Sequence, residues 1–248
     1  MREVWLAWLV AWGFATRVPV RVATVSPRML AAAISCLPAV GLVLGAGAYG
    51  VARLCAPALG NTLAAIAAVA FAALITGGLH LDGLADLFDA LGGGRGERQR
   101  MLDIMRDPRI GAHGASALLL VVLAKVAAIA ELDATRLPLA LCMAPAASRL
   151  MAVWLLYLLP AARTDGLGHG MGEALGQRDA WVATGIVVAA GCAFGPHSVA
   201  PTLAAVFCAA ALGWLARARL GGVTGDVCGA AIELSELAFV LVCRSTQT

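Results

Sequence analysis

Residues Thr76 to Gly114 read TGGLHLDGLADLFDALGGGRGERQRMLDIMRDPRIGAHG. This stretch holds six carboxylates and five arginines, in a chain that is 61% hydrophobic and only 13% charged. A soluble domain carries about a quarter charged residues. Half that density, with a mean hydropathy of +0.86 over 248 residues, points to a polytopic membrane protein. Acid and base crowded between two long apolar segments then mark a place where charge is wanted. Asp82, Asp86 and Asp89 stand at i, i+4 and i+7, within roughly 60° of one another on a helix. Three like charges on one narrow stripe repel. A hard divalent cation such as Mg²⁺, which takes oxygen ligands and is often shared with a substrate phosphate, is the natural partner.

Outward from this island, apolar runs of spanning or near-spanning length cover 28–53, 61–79, 114–132, 137–159, 181–195, 199–215 and 229–243. They predict an all-α fold, a polytopic membrane helix bundle of about six or seven transmembrane helices. The runs 181–195, 199–215 and 229–243 are short, and one of them is a candidate for a buried or re-entrant segment. Breaks fall at 57–61, 133–138, 160–179 and 196–201. No soluble domain or long linker interrupts the pattern, so 1–248 reads as a single integral membrane domain. Its first segment, MREVWLAWLVAWGFATRVPV, is Trp-rich and ends with Arg17 and Arg21 nearby. It reads as a short N-terminal interfacial helix rather than a cleavable signal.

If all seven runs span, thirteen of the sixteen arginines outside them fall on one side. The positive-inside rule makes that side cytoplasmic, and the island 76–114 falls there without being used to choose it. The expected location is the bacterial inner membrane, with the active site facing the cytoplasm. The seven cysteines stand singly in apolar runs and read as small apolar side chains.

A second polar island lies at 219–236. Asp226 and Glu233 are again i, i+7 on one face, among Gly222, Gly225 and Gly229. Carboxylates near a membrane face polar cavities and mark function; the alternative is that they cap helices or pair with arginine. The repeated pattern predicts that Asp226 and Glu233 share one cavity with Asp82. Arg98, Arg106 and Arg109 are candidates for bidentate phosphate contacts, set against a topogenic role. His80, two residues before Asp82, is a candidate to orient the site or act as a base. The glycine-rich stretch 160–180, with Arg163, Asp165 and His169, is a candidate lid.

GGLHLDGLADLFD at 77–89, RQRMLDIMRDPRIGAHG at 98–114 and GGVTGDVCGAAIELSE at 221–236 resemble one family, cobalamin synthase, or adenosylcobinamide-GDP ribazoletransferase. FATRVPV at 14–20 and ARTDGLG at 162–168 also fit, so the resemblance covers nearly the whole chain. It implies a Mg²⁺-dependent phosphotransferase of vitamin B12 biosynthesis. That enzyme joins adenosylcobinamide-GDP to α-ribazole or its 5′-phosphate, forms adenosylcobalamin or its 5′-phosphate, and releases GMP. On this resemblance Asp82, Asp86 and His80 are the catalytic candidates. Asp82, Asp86, Asp89, Asp226 and Glu233 are the metal candidates. Arg17, Arg98, Arg106, Arg109, Gly77, Gly78 and Thr224 would contact phosphate or substrate. The implied partners are the two small-molecule substrates and membrane lipid, with no nucleic acid; a homo-oligomer, or association with other corrinoid-pathway enzymes, stays open.

Two other readings compete. A CDP-alcohol phosphotransferase would share the metal-and-diphosphate logic, but Asp82-Gly83-Leu84-Ala85 is followed here by Asp86 rather than arginine. A cation transporter would spread its acids over several spans, whereas these cluster.

Overall fold

The computed structural model describes residues 2–20, 22, 24–163 and 167–246, with the side chains of residues 3–20, 22, 24–163 and 170–246. Asp165 and the side chain of His169 lie outside the described residues. Among the described residues the fold is all-α, and the one β-type contact is a parallel bridge between Ala161 and Val223. In chain order the helices are α1 (Arg2–Ala15), α2 (Pro27–Ser35), α3 (Leu37–Thr76), α4 (Leu79–Gly93), α5 (Arg98–Ile104), α6 (Ala112–Ala130), α7 (Arg136–Leu158), α8 (Leu167–Ala174), α9 (Gln177–Phe194), α10 (Val199–Leu220) and α11 (Gly225–Ser245). A 3₁₀ turn, Pro196–Ser198, joins α9 to α10.

The helix α3 is 40 residues long on paper, but Gly60 interrupts it with φ +77° and ψ 170°. That left-handed φ is open to glycine and costly for other residues. A straight helix would hold residues 47 and 71 roughly 36 Å apart. Instead the Phe71 ring occupies the space where a Cβ on Gly47 would stand. The two arms therefore fold back on each other as a hairpin, matching the two apolar runs 28–53 and 61–79.

Among the described residues four helices are long and apolar enough to cross a membrane: α3, α6, α7, and α10 with its preceding turn. Of these, α7 is the most enclosed and packs against α3, α9, α10 and α11. Three polar residues open α9, and α11 carries Asp226, Glu233 and Glu236; both fall outside this apolar group. The interfacial reading of the first segment corresponds to α1. Ala7, Ala11 and Ala15 form its buried stripe, and Trp5 is exposed.

Helix α4 follows from two left-handed glycines. Gly77 (φ +67°) ends α3 and Gly78 (φ +74°) begins α4. The Gly78 N–H donates to the Ala73 carbonyl at 2.9 Å, closing the last turn of α3. The chain thereby turns sharply and sends α4 into the bundle, where it packs against α6 and α11.

Candidate functional site

The site is made where α4 crosses α11. A Cβ on Gly83 would stand 2.8 Å from the Asp226 carbonyl oxygen and 2.9 Å from its Cα. One on Gly229 would stand 3.2 Å from the His80 carbonyl oxygen. The two glycines let the backbones approach this closely, as small residues do in membrane bundles. Asp226 is thereby brought beside Asp82 and Asp86, 140 or more residues distant in sequence.

Two adjoining cavities open at this crossing. The larger, about 850 Å³, is lined by Asp82, Asp86 and Asp226, with Arg17, Arg106 and Arg109 at its wall. Gly77 and Gly78 line it too. The smaller, about 310 Å³, shares Phe14, Leu79, Asp82 and Asp226 with it and runs inward past Thr224 to His80 and Arg149. The three carboxylates crowd one another: Asp86 is raised to about 7 by desolvation first, then by the charges of Asp82, Asp226 and Asp89.

A short parallel pairing holds Asp226 in place. The Val223 N–H donates to the Pro160 carbonyl at 2.8 Å, and the Ala162 N–H donates to the Val223 carbonyl at 2.9 Å. This sets Arg163 opposite Asp226, where its guanidinium donates to Oδ2 at 2.5 Å. The Thr224 hydroxyl caps α11, accepting from the Val227 N–H at 3.2 Å, and lies 3.4 Å from Asp226 Oδ2.

Three expectations change. Asp89, on the same α4 stripe, does not reach the cavity lining. Its carboxylate accepts from the Gly111 N–H at 2.7 Å and the Gly114 N–H at 2.8 Å. It thus caps α6 from another helix, a favourable use of charge at a helix N-terminus. Glu233 does not face the larger cavity either, because two helical turns set it roughly 10.5 Å along the axis from Asp226. It pairs with Lys125 at 2.6 Å. Arg98 donates to the Ala162 carbonyl at 3.1 Å and packs over Gly221, so it braces the loop that carries Arg163.

Arg109 lines the larger cavity but holds Asp107, with its Nε 2.9 Å from Oδ1. These hydrogen bonds keep Asp107 down at about 2. Arg17 lies across Gly77, where any Cβ would collide with its side chain. The stretch read as a lid contains α8, whose Met171 walls the smaller cavity.

The structure also shows a second charged layer that the pattern of acids alone did not reveal. Lys125 binds Glu233 at 2.6 Å and Glu236 at 2.8 Å, and Arg149 reaches Glu236 at 3.3 Å. Ser148 donates to Glu236 at 3.3 Å. The available signal was a lysine and an arginine inside apolar runs, which at membrane depth need acidic partners.

Among the described residues no three His, Cys, Asp or Glu side chains are already gathered at metal-ligand spacing. Mg²⁺ takes one or two carboxylates and completes its shell with water and phosphate oxygens, so a pair from Asp82, Asp86 and Asp226 suffices. Their mutual repulsion fits a cation between them.

Known proteins resemble the chain over nearly its whole length. The family model for cobalamin-5-phosphate synthase matches residues 7–244. An adenosylcobinamide-GDP ribazoletransferase of Pseudomonas paraeruginosa is 39% identical over 245 residues, 97% of this chain and 98% of the relative. Those of Citrobacter koseri and Klebsiella pneumoniae are each 46% identical, covering 82% of this chain and 84% of the relative. No solved structure matches the chain. The chain belongs to the cobalamin-5-phosphate synthase family.

Proposed function

We propose that the larger cavity is the seat of the transfer that this family performs. The chain is a membrane-embedded transferase of cobalamin assembly. It joins adenosylcobinamide-GDP to α-ribazole, or its 5′-phosphate, and releases GMP. One observation carries the placement: Asp82, Asp86 and Asp226, from two distant parts of the chain, line one cavity walled by three arginines.

Asp82, Asp86 and Asp226 would hold Mg²⁺, whose charge supplies neutralisation of the diphosphate and of the departing phosphate. Arg17 and Arg106 flank the same space and are placed to hold phosphate oxygens. In the transfer, a ribose hydroxyl of α-ribazole forms a new P–O bond to the phosphorus that carries cobinamide. The P–O bond to GMP breaks, and GMP leaves with that electron pair. The hydroxyl proton goes to a base. His80 reaches the smaller cavity beside Asp82. Burial, reinforced by the positive Arg149, drives His80 down to about 3, which leaves it neutral at pH 7 but too weak a base for that proton, so a carboxylate at the larger cavity is the better acceptor. The arginine bias supports a cytoplasmic orientation for this face.

The test is GMP release by purified protein in detergent, given both substrates and Mg²⁺. EDTA is expected to stop turnover and added Mg²⁺ to restore it. Asp82→Ala and Asp86→Ala are each expected to lose at least about 100-fold while the protein still inserts. Absence of GMP release removes the functional reading; full turnover in EDTA, or in either variant, removes the metal.

A further inference from the structure

The larger cavity is lined by two unlike sets of residues. Asp82 and Asp86 on α4, with Asp226 on α11, make the acidic set. The loop that leaves α5 makes the other, with Met105, Asp107, Arg109 and Ile110. At about 850 Å³ the cavity lies toward the upper end of ligand pockets, roughly 300–1,000 Å³, and so has room for a nucleotide rather than a diphosphate alone.

Asp107 and Arg109 flank Pro108 in this loop. The Asp107 carboxylate accepts from the Arg109 backbone N–H at 3.1 Å, from its Nε at 2.9 Å and from its Nη2 at 2.5 Å. The loop thus fixes the carboxylate, and the carboxylate fixes the plane of the guanidinium. The side of the fork, Nε and Nη2, is taken up by Asp107. The end of the fork, Nη1 and Nη2, still presents two parallel N–H groups, and the Arg109 side chain is 85% exposed. An end held in this way is a bidentate donor for two neighbouring acceptors.

We infer that Arg109 reads the guanine of the leaving nucleotide, donating to O6 and N7 from the end of its fork, with Asp107 as the positioning residue. The inference rests on the reading of the larger cavity given above, in which GMP is the leaving group. Charge decides between a base and a phosphate. Asp107 cancels the charge of Arg109, so the pair offers direction rather than net charge. That suits a neutral ligand with two adjacent acceptors, which guanine presents at O6 and N7. Phosphate oxygens are better served by Arg17, which lies across Gly77 at the start of α4. Adenine has an amino group where guanine has O6, and would set donor against donor. The dimethylbenzimidazole of the acceptor has one free ring nitrogen and no such pair. Met105 and Ile110 on the same loop, and Leu118 on α6, supply apolar surface for the faces of the ring.

The test measures release of the nucleoside monophosphate from adenosylcobinamide-GDP, from its 7-deazaguanine analogue, in which a C–H replaces N7, and from its adenine analogue. The diphosphate is the same in all of them, so a role at phosphate cancels in their ratios. Wild-type protein is expected to favour guanine over 7-deazaguanine roughly 5- to 30-fold in kcat/KM, and Arg109→Met to bring that ratio close to one. Arg109→Gln is expected to move the preference from guanine toward adenine, because an amide pairs with N6 and N7. Asp107→Asn keeps Arg109 and loosens its hold; it is expected to lower the guanine preference at least about threefold while the Mg²⁺ dependence stays unchanged. Both positions lie in an exposed loop, so these variants are expected to fold. Equal use of guanine and 7-deazaguanine by wild-type protein overturns the inference, as does a preference that survives Arg109→Met. Either result would come with normal GMP release by the wild type, and so would leave the function of the larger cavity standing.

Discussion

Gly83→Ala tests the α4–α11 crossing directly. The added methyl would stand 2.8 Å from the Asp226 carbonyl oxygen and 2.9 Å from its Cα, both backbone atoms that cannot swing aside. To restore an ordinary 3.4 Å contact, the helices must separate by roughly 0.6 Å. Overpacking of this kind costs about 1–3 kcal/mol. Helix propensity opposes it, favouring alanine over glycine by about 1 kcal/mol, so a net loss of stability means that the steric effect wins. The atoms displaced belong to Asp226 itself, so the shift passes to its carboxylate and to the α4 acids that it faces. Misplacement by about 1 Å can cost 100-fold in rate, so a shift near 0.6 Å is expected to lower kcat/KM by roughly 10- to 50-fold, or about 1.4–2.3 kcal/mol. GMP release and thermal unfolding in detergent are the two readouts. Gly50→Ala is the control, because a Cβ there meets nothing within 4 Å. A folded Gly83→Ala protein with kcat/KM within twofold of wild type would refute the claim that the crossing sets the site.

Three further outcomes follow from the contacts. Lys125→Met leaves Glu233 and Glu236 buried without their shared cation; it is expected to lower stability in detergent by about 3–5 kcal/mol, and Lys125→Met/Glu233→Gln to recover part of that loss on the same melting curve. Asp89→Ala removes the acceptor for two N–H groups at the start of α6, so a melt shifted by about 1–3 kcal/mol is expected with the Mg²⁺ dependence of the surviving activity unchanged, whereas Asp82→Ala should show the reverse. With the native cysteines replaced, an impermeant thiol reagent is expected to label Arg95→Cys only after intact cells are opened; labelling from outside would invert the topology.

The fold was largely legible because membrane helices announce themselves by length and hydropathy. The arms of α3, and α6, α7 and α10, correspond to apolar runs, and Gly60 supplies the turn between 28–53 and 61–79. Within the site, Asp82, Asp86 and Asp226 were legible as acids in places where acid is expensive. Asp89 and Glu233 were misassigned for different reasons. Asp89 shares the stripe of Asp82 and Asp86, but angular position on one helix does not show which neighbour waits at each level; here it is the amino end of α6. For Glu233, the i, i+7 spacing gives a common face and hides a difference in depth. Lys125 and Arg149 were visible as charges inside apolar runs, but pairing them with Glu233 and Glu236 needs the packing of α6, α7 and α11, over 87 to 111 residues of separation.

Charge balance separates the two layers of polar residues. In the deeper layer Lys125 and Arg149 face Glu233 and Glu236, two positive groups against two negative, joined by three ion pairs of 2.6, 2.8 and 3.3 Å. That layer is neutral as it stands, as burial in a membrane requires. In the layer at the cavity mouth, Asp82, Asp86 and Asp226 are set against Arg163, which is paired with Asp226 at 2.5 Å. Among the described residues Asp82 and Asp86 form no ion pair of their own, and desolvation first, then the neighbouring carboxylates, raises Asp86 to about 7. A transporter pathway would need its unbalanced charge to continue through the bundle. Here the imbalance stops at the mouth, beside arginines and open space, which is where a divalent cation arriving with a diphosphate would be held.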